Sequence, residues 1–169
     1  MSVNEKEKEK GKGKEEDEEE LLRVSINMDL EYRWSGGSYF TKFYKAWKEE
    51  RKILGSKCSS CGRVYLPPRL LCAKCYKKID EWAEISDKGT VRAYTVVYQP
   101  FIDPRTGKPR PVPYGMALIQ LDGADTTINY FLEENDLSKM RIGMRVQAVW
   151  RDEIEGNITD IKYFRIIEE

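Results

Sequence analysis

GSKCSSCGRVYLPPRLLCAKCYKK, running from Gly55 to Lys78, holds every cysteine of a 169-residue chain that contains no histidine. Cys58 and Cys61 form one C-x-x-C pair, and Cys72 and Cys75 form a second after ten intervening residues. Each pair presents two thiolates to one side of a tight turn, so the two together supply four soft ligands in a tetrahedron, the signature of a zinc ribbon. Without histidine the site is all sulfur, which selects zinc or iron over harder ions, and zinc is the expected metal. Gly62 follows the first pair where such a turn favours positive φ, and Pro67-Pro68 stiffens the connecting hairpin. Disulfides do not suit a chain without secretory features, and a redox dithiol requires only one such pair. A four-thiolate site leaves no open position for water or substrate, so the metal is expected to fold the module and to catalyse nothing.

Taken over the whole chain, the composition is that of a soluble protein with one modest core, 40% hydrophobic and 34% charged with a net charge of zero. No apolar run approaches the roughly 18 residues of a membrane span, and the charged N-terminus is unlike a signal peptide, which places the expected location in the cytoplasm. Residues 1–20 carry nine acids against five lysines, leaving the remainder at a net charge of only +4. That is too mild for a surface built around nucleic acid. Residues 1–25 read as a disordered charged tail, solubilising rather than an interaction arm. Residues 26–55 read as a helical segment, because Phe40, Phe43, Tyr44, Trp47 and Leu54 recur at helical spacing, predicting a helix over about 39–52 capped by Ser38 and closed by Gly55. Its aromatic stripe is expected to pack on its own protein.

The ribbon is assigned to 56–81 and a β domain to 82–169, where five strands are predicted at about 89–98, 114–121, 126–132, 144–151 and 157–167. ENDLSKMRIG, between the third and fourth, has room for a short helix capped by Asn135 or Asp136. Three strands, a short helix and two strands make a five-stranded OB-type barrel, with an SH3-like barrel as the alternative. The expected fold is therefore mainly β with an N-terminal helix: a rubredoxin-like zinc ribbon followed by a five-stranded OB-fold barrel. The connection QPFIDPRTGKPRPVP, after the first strand, is the loop that meets ligands in such barrels.

The runs CSSCGRVYLPPRLLCAKC, EWAEISDKGTVRAYTVVY, VPYGMALIQLDG, IGMRVQAVW and KYFRI, in this order, resemble the zinc-ribbon plus OB-fold proteins long classed as a domain of unknown function. The resemblance covers about residues 38–167. Two positions depart from that pattern: Tyr76 follows the second cysteine pair where the family commonly has glycine, and FRII lacks a frequent proline. The resemblance implies an accessory subunit of acyl-CoA metabolism that partners thiolase-like or hydratase-like enzymes. In archaea, similar proteins bridge acetoacetyl-CoA thiolase and hydroxymethylglutaryl-CoA synthase and help form a shared CoA or pantetheine site, which implies channelling in the mevalonate pathway.

The residues themselves offer little for catalysis. With no histidine and with four thiols assigned to metal, Ser/His and Cys/His schemes lack parts, and no glycine-rich phosphate loop is present. Asp122 and Asp125 lie close together, but LDGAD reads as a β-turn. A CoA site needs cationic groups beside aromatic walls. The candidates are Arg63 and Arg69 in the ribbon, Arg105, Lys108 and Arg110 in the long loop, and Tyr94, Tyr98 and Tyr114 on the strands flanking it. The competing function is single-stranded nucleic-acid binding, with Tyr94, Tyr130, Trp150 and Tyr163 as a stacking platform.

Overall fold

The computed structural model describes residues 35–102 and 107–168. The charged tail assigned to 1–25 lies outside the described residues. Helix α1, Gly37–Glu50, is amphipathic, and its aromatic stripe turns inward: Phe43 and Trp47 are buried. Gly36 rather than Ser38 occupies the N-cap, and no side chain caps the helix start. The helix closes at Arg51, which takes a left-handed φ of 54° as its N–H returns to Trp47 O at 3.1 Å. Gly55, expected to end the helical segment, lies instead inside a strand.

That strand is β1, Ile53–Lys57, flanked by β2, Val64–Tyr65, and β3, Glu81–Ile85, in an antiparallel sheet of order β2-β1-β3. Gly55 sits at its centre because a Cβ there would come 2.5 Å from Ile85 Cδ1 and 2.7 Å from Val64 Cγ1. Those are separations that packed atoms do not occupy, so the missing side chain is what lets the three strands close.

The remaining strands are β4, Lys88–Val97; β5, Tyr114–Leu121; β6, Ile128–Leu132; β7, Arg145–Trp150; and β8, Ile161–Ile166. They form a closed barrel in the order β4-β5-β6-β8-β7, with β7 pairing back onto β4. β6 and β8 are parallel and the other neighbours antiparallel. An irregularity between Val91 and Ala93 lets β4 bend enough to pair with β7 at one end and β5 along its length. This is the expected OB-type barrel. Alternation places Ala117, Ile119 and Leu121 of β5 in its interior, beside Val91, Tyr130, Leu132, Val146 and Phe164, all buried.

A 3-10 turn, Leu137–Lys139, fills the link between β6 and β7, and its N-cap is Asp136, whose side chain accepts from Ser138 N at 2.9 Å. The last strand begins four residues later than 157, because Asn157 and Asp160 form a capping box around a second 3-10 turn, Ile158–Asp160. Asp160 is buried there, accepting hydrogen bonds from the backbone N–H groups of Glu155, Gly156 and Asn157.

Helix, ribbon sheet and barrel share one core. Trp47 meets Trp150 of β7 edge-on at 5.0 Å between ring centroids. Where the ribbon meets the turn after β5, Asp125 N–H donates to Val64 O at 2.9 Å and its carboxylate accepts from Val64 N at 2.8 Å. Thr126 Oγ1 likewise accepts from Leu66 N and donates to Leu66 O, each at 2.8 Å. A cavity of about 30 Å³ remains where helix, ribbon and barrel converge, lined by Phe40, Phe43, Leu66 and Leu121 among others. Among the described residues, no helix is long and apolar enough to cross a membrane.

Candidate metal centre and ligand-facing surfaces

The four cysteines converge at the far end of the ribbon sheet, their Sγ atoms all within 4.8 Å of one another. Each pair is carried by a turn of the same construction. Cys58 N–H donates to Arg63 O and Gly62 N–H to Cys58 O in the first; Cys72 N–H donates to Lys77 O and Tyr76 N–H to Cys72 O in the second. A tetrahedral zinc with bonds of about 2.3 Å spaces its sulfurs by about 3.8 Å. Cys61 Sγ and Cys72 Sγ stand 3.7 Å apart and all four lie within 4.8 Å, so the all-sulfur donor set fits a tetrahedral zinc.

Electrostatics point the same way. Tyr65 Oη lies 3.3 Å from Cys72 Sγ and accepts from Ala73 N at 3.1 Å, which leaves the phenolic proton for the sulfur. That hydrogen bond holds the Cys72 thiol down to about 6. Cys75 moves the opposite way, pushed up to about 12 by its hydrogen bond to Cys61 and then by burial. Four sulfurs this close cannot all carry charge unaided, and a divalent cation is what allows each to ionise. Tyr65, buried with Cys58, Cys72 and Ile79 in a small core of their own, is the supporting residue that sequence reasoning missed. Its signal was its place three residues after Gly62 in the strand that returns from the first pair.

The candidate CoA-contacting residues do not form one group. Arg63 and Arg69 are exposed on the ribbon, with the Arg69 guanidinium 5.5 Å from the Tyr65 ring. The ribbon joins the barrel near Leu121, whereas Lys108, Arg110 and Tyr114 belong to the opposite end of β5. Seven residues of strand at about 3.4 Å each separate these ends by about 24 Å. Tyr94 pairs with inward-facing Ala117 and packs on the core, and its half-buried ring also lines the furrow on the barrel. Arg105 lies outside the described residues.

What assembles at the loop end is an aromatic and cationic cluster. Arg110 stacks its guanidinium 3.7 Å from the Phe131 ring and 5.7 Å from that of Tyr114. Tyr114 in turn contacts Phe101 and Phe131, at 6.0 and 5.8 Å between centroids. Tyr98 and Lys108 are exposed nearby in sequence on the same loop. Beside this cluster a largely apolar furrow runs along the barrel, with Ala93, Tyr94, Thr95, Met116, Ala117, Leu118 and Asn129 lining about 190 Å³. Phe131 and Phe101 were not anticipated, because neither the strand nor the loop reveals in sequence that they stack beside Tyr114.

The two carboxylates of LDGAD are structural, as expected of a turn. Asp122 forms a two-pronged ion pair with Arg145, at 2.8 and 2.5 Å, and the Arg145 hydrogen bond holds its carboxyl below the usual range. Asp125 is engaged with Val64. Two members of the candidate stacking platform are committed to the core: Tyr130 directs its hydroxyl to the carbonyls of Ile158 and Ile161, and Trp150 packs under α1.

Comparison with known proteins extends this description. Residues 48–80 match the family model of the ChsH2 rubredoxin-like zinc ribbon domain, and residues 82–151 that of the ChsH2 C-terminal OB-fold domain. A DUF35 domain-containing scaffold protein of Methanocaldococcus jannaschii is 33% identical over 126 residues, covering 72% of this chain and 86% of the relative. Its counterpart in Methanothermobacter thermautotrophicus is 30% identical over 117 residues, covering 66% and 83%. Among solved structures, a DUF35-family protein of unknown function from Sulfolobus solfataricus aligns with a TM-score of 0.55 at 27% identity, over 77% of this chain and 84% of that one. A chain of the Ltp2-ChsH2(DUF35) aldolase aligns with a TM-score of 0.54 at 23% identity, over 85% and 98%, a likeness of fold.

Proposed function

Because the chain belongs to the DUF35 family of zinc-ribbon and OB-fold proteins, we propose that it is a non-catalytic scaffold subunit of an acyl-CoA enzyme complex. The finer reading is that it binds a thiolase-family enzyme, bridges acetoacetyl-CoA thiolase to hydroxymethylglutaryl-CoA synthase, and contributes to a CoA or pantetheine site they share. One observation supports its non-catalytic part: the cysteines, the two turn carboxylates and the core tyrosine are engaged in holding the fold. The four thiols converge on one metal position, Asp122 is paired with Arg145, Asp125 with Val64, and the Tyr130 hydroxyl with two backbone carbonyls. The names of the archaeal relatives support the scaffold role.

Cys58, Cys61, Cys72 and Cys75 hold the structural zinc, which when bound supplies the positive charge that keeps all four sulfurs ionised. The shared CoA site belongs to the loop end of the barrel. There Lys108 and Arg110 meet phosphate charge, Tyr98 and Tyr114 flank the ligand, and the furrow along Met116 and Leu118 takes the apolar arm. Arg63 and Arg69, at the other end of the strands, are not part of that site.

The test is to tag the full chain in its native host, purify it gently and identify what elutes with it by mass spectrometry. Thiolase-family enzyme and hydroxymethylglutaryl-CoA synthase in stoichiometric amounts are expected, with no acyl-CoA turnover by the chain alone. Recovery of nucleic acid in their place, or turnover in a partner-free preparation, overturns the reading.

A further inference from the structure

The two cysteine turns differ at one position that their shared construction makes conspicuous. Gly62 and Tyr76 occupy equivalent places, each donating its N–H to the carbonyl of the first cysteine of its pair at 2.8 Å. Both are left-handed, with φ of 74° and 55°. Glycine adopts that conformation without cost, whereas a residue with a Cβ is disfavoured in it. The fold gains nothing visible in return, for Tyr76 is 83% exposed and its side chain makes no ring contact or hydrogen bond among the described residues. A backbone outlier that packing does not explain is a reason to look for function.

The surroundings of Tyr76 supply the second observation. Residues 70–79 form a hairpin closed by the bridge between Leu71 and Lys78 and by Ile79 N–H donating to Leu70 O. It exposes Leu70 at 51% and Leu71 at 54%, together with Lys74, Lys77 and Lys78. No acidic residue occurs anywhere from Gly55 to Ile79. Three large apolar side chains and three ammonium groups therefore share one small, rigid tip.

We propose that this hairpin is a docking tip: Tyr76, Leu70 and Leu71 enter an apolar pocket on a partner protein, and Lys74, Lys77 and Lys78 meet an acidic rim around it. The inference rests on the scaffold reading, and the partner is the enzyme held by the scaffold. Tyrosine anchors with apolar neighbours and a charged periphery are the usual composition of an interface centre. Charge complementarity fixes the sign of the partner surface, and the paired leucines call for a protein pocket rather than a phosphate backbone.

The test uses the full-length chain, loaded with metal, and the enzyme that co-purifies with it from the native host. Affinity is measured by calorimetry for the wild type, Tyr76→Gly, Leu71→Ser and Lys77→Glu, each with its melting temperature. Tyr76→Gly is expected to weaken binding at least tenfold while melting no lower than the wild type, which separates lost contact from lost fold. Leu71→Ser is expected to weaken binding similarly, and Lys77→Glu to weaken it most at low salt. Wild-type affinity in Tyr76→Gly overturns the docking tip and leaves the scaffold reading standing. A wild-type chain that carries no enzyme overturns both. Binding that depends on Tyr76 but disappears on nuclease treatment assigns the tip to nucleic acid and overturns the inference.

Discussion

Tyr65 works on both sides of its hydroxyl, accepting from Ala73 N and donating to Cys72 Sγ from within a buried cluster. Groups that hydrogen-bond a metal ligand set its orientation and charge, and their loss commonly costs about 10- to 100-fold in metal affinity. Tyr65→Phe keeps the ring and its packing, so it is expected to fold normally while losing zinc about tenfold more readily in a competitive chelator titration. Unchanged affinity would show that the cysteines alone determine the site. At this scale the sequence was legible for the ligands and opaque for their support. The spacing of two C-x-x-C pairs announces itself, whereas a tyrosine that reaches seven residues along the chain to a sulfur looks like any strand aromatic. The same limit applies to Arg110, whose positive charge was evident but whose stacking on Phe131 was not.

Among the elements, the barrel strands and α1 were readable because each repeats its pattern over enough residues to register. β1 and β3 escaped notice for a physical reason. Each has only five residues and neither alternates: β1, between two neighbours, is buried at three of five positions, while β3, at the sheet edge, buries only Ile85. Gly55 was accordingly read as a helix stop, when its function is to admit Ile85 and Val64 to close contact. Gly55→Ala is expected to lower stability by about 1–3 kcal/mol, the usual cost of forcing a methyl into a packed space. Chemical denaturation would measure it, and an unchanged midpoint would mean that the sheet opens without penalty.

At the level of the whole molecule, two hydrophobic clusters share the work. The larger runs from Phe43 and Trp47 through Ile53, Val64 and Ile85 into the barrel, while Cys58, Tyr65, Cys72 and Ile79 make the smaller one around the metal position. Removing zinc deprives the smaller cluster of its centre and leaves the larger intact. Chelation is therefore expected to raise hydrogen exchange across about residues 56–80 while Val91, Ile119 and Phe164 remain protected. Global loss of protection would show that the two clusters unfold as one. The sequence foretold the module order but not their separation along β5, because a linear chain does not show which ends of a strand its neighbours reach. Hence Arg63 and Arg69 were grouped with a loop that belongs to the other end of a strand about 24 Å long.

The meeting of Trp47 with Trp150 sets an order of events during synthesis. The three-stranded ribbon sheet is built from residues 53–85 and its strands can pair as soon as they leave the ribosome, but Trp47 of α1 lacks the Trp150 ring it packs on until β7 emerges. At about 5–20 residues per second that interval is roughly 3–13 s. Through it the nascent chain carries an aromatic helix face covered on the ribbon side alone, a segment that a chaperone could shield.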